Sequence, residues 1–378
     1  MTNNLLSILN STSGAHVTVK PDWFVLTDGT AFAVPSLLEG KDLCDTERVK
    51  VFIDHETPCG SEEHAERQKQ LIRFACQRGC ELANGYGTAY QLMLEKHVKP
   101  GNIVAHCGDF GSIYGAAGAY AVRLSAEEMA KAIVCGEVCV SVPRPLHLRV
   151  SGSLKAPACA KDAALFVLTL LGDTRNSVVL VSGTLPQGSE KIAFFQLLSL
   201  GGCEAALEEE GCDAPDAELV LDTVVPTVAG PNDFFRTAPA SVLSAVLVSA
   251  VFIGGCSAGR IEDIRAAAAV IRGRKVRRGV RAMVAFASTD AYIQAANEGL
   301  IAKFMDAGVL VMNQGCSACY AHSQGLADTE DVVLSAGSRA CPNCMGEGDV
   351  TTYLCSAVTA MESAITGVIT PAGIEDVP

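Results

Sequence analysis

Short aliphatic runs recur along this chain, and each ends in a polar or glycine-rich break. Val49–His55 (VKVFIDH) is a buried strand ending in Asp54-His55, and Ile103–Ala105 runs into His106-Cys-Gly-Asp-Phe-Gly111. Ser177–Ser182 (SVVLVS), Val248–Gly255, Gly279–Phe286 and Gly308–Met312 repeat the pattern. Val17–Gly40 mixes short strand-like runs with turns. Between them lie segments of helical period: Ser61–Gly79, Ser125–Cys135, Ala160–Leu171, the stretch up to Ile271, and Asp290–Asp306. Ser125 and Glu128 have the spacing of a capping box. The Gly/Ala-rich stretch after Gly111 (GSIYGAAGAYAV) is expected to be a close-packing helix. Ala214–Pro239, rich in Pro, Asp and Thr, is the expected linker. Strands alternating with helices predict a mainly parallel α/β sheet, and no fixed-period repeat is present.

Composition sharpens this picture. The 378 residues are 49% hydrophobic, enough for two or three domains with sizeable cores. The net charge of −13 argues against a general phosphate-backbone binder, so no nucleic-acid partner is expected. The basic Arg272–Gly279 segment reads as a solvated helix end rather than an anion site. The apolar run Ser241–Gly255 is too short to span a bilayer and is expected to be buried strand or helix, so no membrane association is expected. No secretory signal is expected. Sixteen cysteines without an export signal then indicate reduced thiols and a cytoplasmic location. Cys76, Cys135, Cys139, Cys203 and Cys355, scattered among apolar residues, are read as small buried hydrophobes.

Four candidate sites share one geometry. Asp54-His55, Cys107-Gly-Asp109, Cys256-Ser257 and Cys316/Cys319 each follow an expected strand. In parallel sheets, ligands gather at the carboxyl ends of strands, so these positions can converge. The cysteines admit several readings. Cys316-x-x-Cys319 and Cys341-x-x-Cys344 together have the spacing of a zinc ribbon. Alternatively, Cys256, Cys316 and Cys319 supply three thiolates to an iron–sulfur cluster whose open iron acts as a Lewis acid on a substrate. A chain without metal remains a third reading.

The stretch Phe252–Val276 (FIGGCSAGRIEDIRAAAAVIRGRKV), Glu298-Gly-Leu300 and Gly315-Cys-Ser-Ala-Cys319 resemble the large subunits of 3-isopropylmalate dehydratases, in the aconitase superfamily. Asp54-His55, Pro100-Gly101, Cys107-Gly-Asp109 and Thr352-Tyr-Leu354 extend the match across most of the chain. The resemblance implies an α/β, aconitase-type large subunit of three α/β/α domains without the swivelling fourth domain. Their expected spans are 1–155, 156–240 and 241–378, the last carrying a [4Fe-4S] cluster on Cys256, Cys316 and Cys319. It implies a hydro-lyase or isomerase acting on a small hydroxy-carboxylate, and a separate small swivelling-domain subunit.

Departures from the family pattern cluster in its catalytic residues. Its Cys-Gly-Asp-Ser-His-Thr motif is here Cys107-Gly-Asp-Phe-Gly-Ser112, which keeps Asp109 but loses a histidine. A second family histidine aligns with Tyr90, and a glutamate with Leu180. One of two substrate-binding arginines is kept as Arg339, while the other becomes Cys344. Fewer arginines imply a substrate with fewer carboxylates or another anchor, such as Arg260, and isopropylmalate itself is not the expected substrate. Asp109, His55 and Tyr90 are the expected acid/base residues, and Arg339, Arg260 and Ser338 the expected substrate contacts. His106 is a weaker candidate. Cys341 and Cys344, in a segment that lines the family's active site, are candidates for a fourth cluster ligand or a reactive thiol. A capped cluster would serve redox, sulfur or structural chemistry, and a zinc-bound scaffold is the further alternative.

Overall fold

A computed structural model describes residues 11–321, 323–340, 344–346 and 348–373. Three sheets and an antiparallel ribbon organise it. Strands β1 (His16–Val19), β2 (Trp23–Thr27), β3 (Val49–Ile53), β4 (Glu81–Asn84), β5 (Ile103–His106), β6 (Tyr120–Arg123) and β7 (Val138–Ser141) come first. β1 and β7 form the ribbon, and the others a parallel sheet in the order β4-β3-β2-β5-β6. The chain winds outward from β2 to one side through β3 and β4, then to the other through β5 and β6. The order therefore reverses beside β2, where a crevice opens at the strand carboxyl ends. Helices Glu62–Arg78 and Ala126–Cys135 carry serine N-caps, and the expected Ser125/Glu128 capping box is present.

The second sheet is also parallel, in the order β10-β9-β8-β11, from β8 (Arg144–Ser151), β9 (Ser177–Gly183), β10 (Ala205–Glu208) and β11 (Ala217–Val220). Helices Ala160–Leu171 and Gly188–Leu198 pack on it through Leu165, Leu168, Phe194 and Leu198. The third sheet holds β12 (Thr227–Ala229), β13 (Thr237–Pro239), β14 (Ala250–Ile253), β15 (Arg281–Val284), β16 (Leu310–Val311), β17 (Val332–Ser335) and β18 (Thr351–Leu354). Its order is β13-β12-β18-β17-β14-β15-β16, with β14 to β18 parallel, and its winding reverses between β14 and β17.

Five local expectations are corrected. Of the cysteines expected to be buried, Cys203 and Cys355 are, but Cys76, Cys135 and Cys139 are exposed. The Gly/Ala-rich stretch is a 3-10 segment, Gly111–Ala117, followed by β6. A Cβ at Gly115 would lie 1.6 Å from the Ala206 carbonyl oxygen, so this segment hugs the second sheet too closely for a regular helix with side chains. Asp290–Asp306 is two helices, Thr289–Asn297 and Leu300–Ala307, because Gly299 takes φ +73° between them. Ala214–Pro239 is no bare linker: it contributes β11, β12 and β13. The run Ser241–Gly255 is not wholly buried; Val242 and Leu247 are 70% and 73% exposed, and only its end forms β14. No helix among the described residues is long and apolar enough to cross a membrane.

Candidate active site

The two sheet crevices face one another across a shared cavity. From the first sheet, the β2 end contributes Thr27, the turn two residues past β3 contributes His55, and the residues after β5 contribute Gly108, Asp109 and Phe110. Tyr90 enters from the first turn of helix Ala89–Lys96. Across the cavity stand Cys256 after β14, Cys316 and Cys319 after β16, and Ser338 and Arg339 after β17. Eight expected site residues thus meet at one place: Asp109, His55, Tyr90, Arg339, Ser338, Cys256, Cys316 and Cys319.

His55 is held by two carboxylates. Its Nδ1 lies 2.6 Å from Asp54 Oδ1 and 3.3 Å from Asp28 Oδ1, and its ring meets Tyr320 edge-on at 4.8 Å. Asp28 Oδ1 also accepts the backbone N–H groups of Asp54 and His55, each at 3.1 Å, while Gln68 Nε2 donates to Oδ2 at 2.9 Å. Asp54 Oδ2 accepts the Ala89 N–H at 2.7 Å. Burial alone would lower the imidazole, but the charge of Asp54 and the hydrogen bonds of both carboxylates raise it to about 10. Burial pushes the Asp54 carboxyl up against the pull of His55, whereas at Asp28 the His55 hydrogen bond and charge outweigh burial and hold the carboxyl well below its ordinary range. The imidazolium is therefore the form this pocket favours. Cys316 Sγ is 4.0 Å from Asp54 Oδ2, and the ligand atoms of Asp54, His55 and Cys316 lie within 4.8 Å of one another.

The Cys256 turn is secured by the second sheet's helices. Gln196 Nε2 donates to Cys256 Sγ at 2.8 Å. Lys161 Nζ, 4% exposed, donates to Ser257 Oγ at 2.9 Å, to the Gly337 carbonyl at 2.7 Å and to the Ala336 carbonyl. It thereby ties the Cys256 turn to the loop carrying Ser338 and Arg339. Burial raises the Cys256 thiol to about 11, with the neighbouring Cys319 adding to it and the Gln196 bond opposing it. Cys316 is raised well above its usual value by burial, Asp54 and the other two cysteines. Two buried sulfurs, Cys256 and Cys319, and the part-buried Cys316 repel once ionised and form a soft donor set, and a cationic metal centre relieves that repulsion. The residues present therefore fit an iron–sulfur cluster.

Arg339 Nη2 is 3.6 Å from Asp109 Oδ2, and its guanidinium lies 5.7 Å over the Phe110 ring. Arg123 reaches Asp109 Oδ1 at 3.2 Å. Ser338 Oγ is buried with no hydrogen-bond partner among the described residues. Burial raises the Tyr90 phenol well above its ordinary value, and its oxygen accepts the Phe110 N–H at 3.2 Å.

Two expected residues stand apart from the cavity wall. Arg260 is 3% exposed; its guanidinium donates to the carbonyls of Cys256 and Ser257 at 2.6 and 2.8 Å and pairs with Asp263 at 3.4 Å. It braces the cysteine's turn from behind. Cys344 packs with Phe252, Met283 and Cys319 in an apolar cluster. Cys341 lies outside the described residues. Sequence reasoning missed Asp28, Gln196 and Lys161. Asp28 follows β2 and obeys the strand-end rule that found the others; Gln196 and Lys161 lie on helices with no local signal.

The aconitase family (aconitate hydratase) model matches residues 218–367. The 3-isopropylmalate dehydratase large subunit 2 of Archaeoglobus fulgidus is 30% identical, covering 94% of each chain. The homoaconitase large subunit of Thermus thermophilus is 29% identical, covering 95% of this chain and 93% of its own. The crystal structure of Thermococcus kodakaraensis aconitase X (holo-form) superposes with a TM-score of 0.57 over 99% of this chain and 94% of that one, at 12% identity. That likeness shows the fold.

Proposed function

Because this chain belongs to the aconitase family and is an aconitase-type hydro-lyase, we propose that it removes water from a small hydroxy-carboxylate other than isopropylmalate and adds it back. One observation carries this reading: Cys256, Cys316 and Cys319 converge with His55, Asp109 and Arg339 on one cavity. We propose that the three cysteines hold a [4Fe-4S] cluster. When bound, such a cluster supplies Lewis-acid polarisation of a substrate hydroxyl.

The chain's own residues then divide the remaining work. Arg339, kept in place by Asp109 and Phe110, binds a substrate carboxylate. Ser338 Oγ, buried and unpartnered among the described residues, offers a hydrogen bond beside it. His55, favoured as an imidazolium between Asp28 and Asp54, donates a proton to the departing hydroxyl, which leaves as water. Tyr90 Oη receives the carbon-bound proton as its own hydroxyl proton passes to a neighbouring base, and the carbon–hydrogen electron pair becomes the double bond. With Arg339 the one arginine among the described lining residues, the cavity suits a substrate of fewer carboxylates.

Three further proposals follow. The three sheets support three domains, but with boundaries moved from the expected 155 and 240 to just before β8, which starts at Arg144, and just before β12, which starts at Thr227. The relatives are named large subunits, which supports a separate small subunit. A thiolate-held iron–sulfur cluster suits a reducing, cytoplasmic setting.

Anaerobic purification, an absorption spectrum and iron and sulfide quantification test the cluster, followed by a hydration–dehydration screen over hydroxy acids. A brown protein that needs added ferrous iron for full turnover of one of them is expected. A colourless, iron-free protein would sink the reading, and a brown one indifferent to iron would replace it with a capped cluster.

A further inference from the structure

His106 ends β5 at 3% exposure, and neither of its ring nitrogens has a hydrogen-bond partner among the described residues. The Tyr114 hydroxyl nearby is likewise unpartnered. An orphaned buried polar group is destabilising, so two such side chains at one place call for a reason. Both surround Tyr90: its ring centroid lies 6.1 Å from that of His106 and 5.8 Å from that of Tyr114, while His106 and Tyr114 are 6.3 Å apart, edge to face. The rest of this cluster is apolar, built from Val25, Leu92, Val104 and Ile113. Tyr90 and His106 both line the cavity.

Two glycines make this arrangement possible. A Cβ at Gly111 would lie 2.2 Å from His106 Nε2, so the imidazole occupies the space that a side chain at 111 would need. Position 111 is also where the resembled motif carries a histidine. A Cβ at Gly108 would lie 2.1 Å from Tyr90 Oη and 3.8 Å from His106 Nδ1. The hydroxyl and the imidazole nitrogen thus flank Gly108, no more than about 6 Å apart, a gap that one water bridges.

We propose that Tyr90 and His106 form a proton-transfer pair, with Tyr90 facing the substrate and His106 storing the proton behind it. This rests on the hydro-lyase reading. In dehydration, the carbon-bound proton passes to Tyr90 Oη as the Tyr90 hydroxyl proton moves to the neutral imidazole. The carbon–hydrogen electron pair forms the double bond. The hydroxyl departs as water with the proton from His55, and the imidazolium returns its proton through Tyr90 to His55. Reactant and products then balance as hydroxy acid giving unsaturated acid and water, with every protein group restored. The groups facing His106 are Tyr90 and Tyr114, with Asp109 and Arg123 as the charges acting on it. Burial first and Arg123 second lower its pKa to about 4, against Asp109, so the resting imidazole is neutral as this role requires.

The test uses the full chain with histidine 15N labelling, comparing wild type with Tyr90→Phe and His106→Gln. In the ligand-free protein, His106 is expected as one neutral tautomer whose nitrogen shifts move in Tyr90→Phe; unchanged shifts overturn the pairing. With any hydroxy acid found in the screen, His106→Gln is expected to lower kcat at least 100-fold, with KM within threefold and thermal stability retained. It is also expected to slow exchange of the substrate carbon proton with deuterated solvent. An unchanged kcat or exchange rate overturns the proposal. A screen without any turnover counts against the hydro-lyase reading, and the nitrogen shifts then judge the pair alone.

Discussion

Gln196, on the helix Gly188–Leu198, points its amide N–H at Cys256 Sγ across 2.8 Å, from one sheet's covering layer to another sheet's strand end. Both side chains are buried, and the contact gives the sulfur a donor that stabilises its negative charge. Removing it in Gln196→Leu is expected to make the cluster harder to reduce, because donors to sulfur raise cluster potentials. Potentiometry of the reconstituted protein checks this: a midpoint more negative than wild type is expected, with a stability change of only about 1 kcal/mol. An unmoved midpoint would show that the contact is packing alone.

Replacing Cys256, Cys316 or Cys319 by serine is expected to abolish stable iron binding and the broad visible absorbance. Cys344→Ser and Cys355→Ser, both buried away from the cavity wall, are expected to keep them. Iron and sulfide assays with absorption spectra read both outcomes. Iron loss in Cys344→Ser would bring that thiol back as a ligand.

Lys161 ties Ser257 to the carbonyls of Ala336 and Gly337. Lys161→Met leaves those acceptors buried without their donor, so a loss of roughly 3 kcal/mol is expected in denaturant unfolding. The site should suffer with it, because Arg339 lies two residues beyond Gly337. A raised KM alongside the stability loss is the expected signature.

Arg339→Lys keeps the charge but removes the planar fork and its stacking on Phe110. KM for an anionic substrate is expected to rise roughly 10- to 100-fold, with a smaller change in kcat. Steady-state kinetics at constant ionic strength decide this. A KM within twofold of wild type would remove Arg339 from substrate binding.

His106 also makes the fold sensitive to acid. Its folded pKa of about 4 lies below the ordinary 6.5, so the unfolded chain binds more protons between those values. Its contribution is fully present above pH 6.5 and is lost as pH falls through about 4. The difference amounts to up to ~3 kcal/mol. Chemical denaturation of wild type and His106→Phe between pH 4 and 7 should show wild type losing stability relative to the variant as the pH falls; parallel curves would contradict the assignment.

Much of the site was legible because strand ends carry its chemistry. Aliphatic runs located β3, β5 and β14, and the residues just beyond them, His55, Asp109 and Cys256, are where the crevices open. What stayed hidden depends on long-range packing. Lys161 is a charged residue in an apolar helix, and nothing nearby shows that its partners are 96 and 175 residues away. Gly111–Ala117 has helical composition, but the approach of Gly115 to the Ala206 carbonyl decides its shape. Asp28 was within reach of the strand-end rule, yet its turn-rich surroundings obscured β2 as a strand.

The seam between the sheets bears on inheritance. Ser112 donates to the Phe195 carbonyl at 2.7 Å, Gln196 reaches Cys256, and Lys161 reaches Ala336, so each bond crosses from one sheet's territory into another's. A chimera that exchanged the middle sheet with that of a relative would separate every one of these partners at once. Such hybrids should assemble a cavity only when both halves of each pair are transplanted together. For recombination, this chain is expected to behave as one unit despite its three sheets.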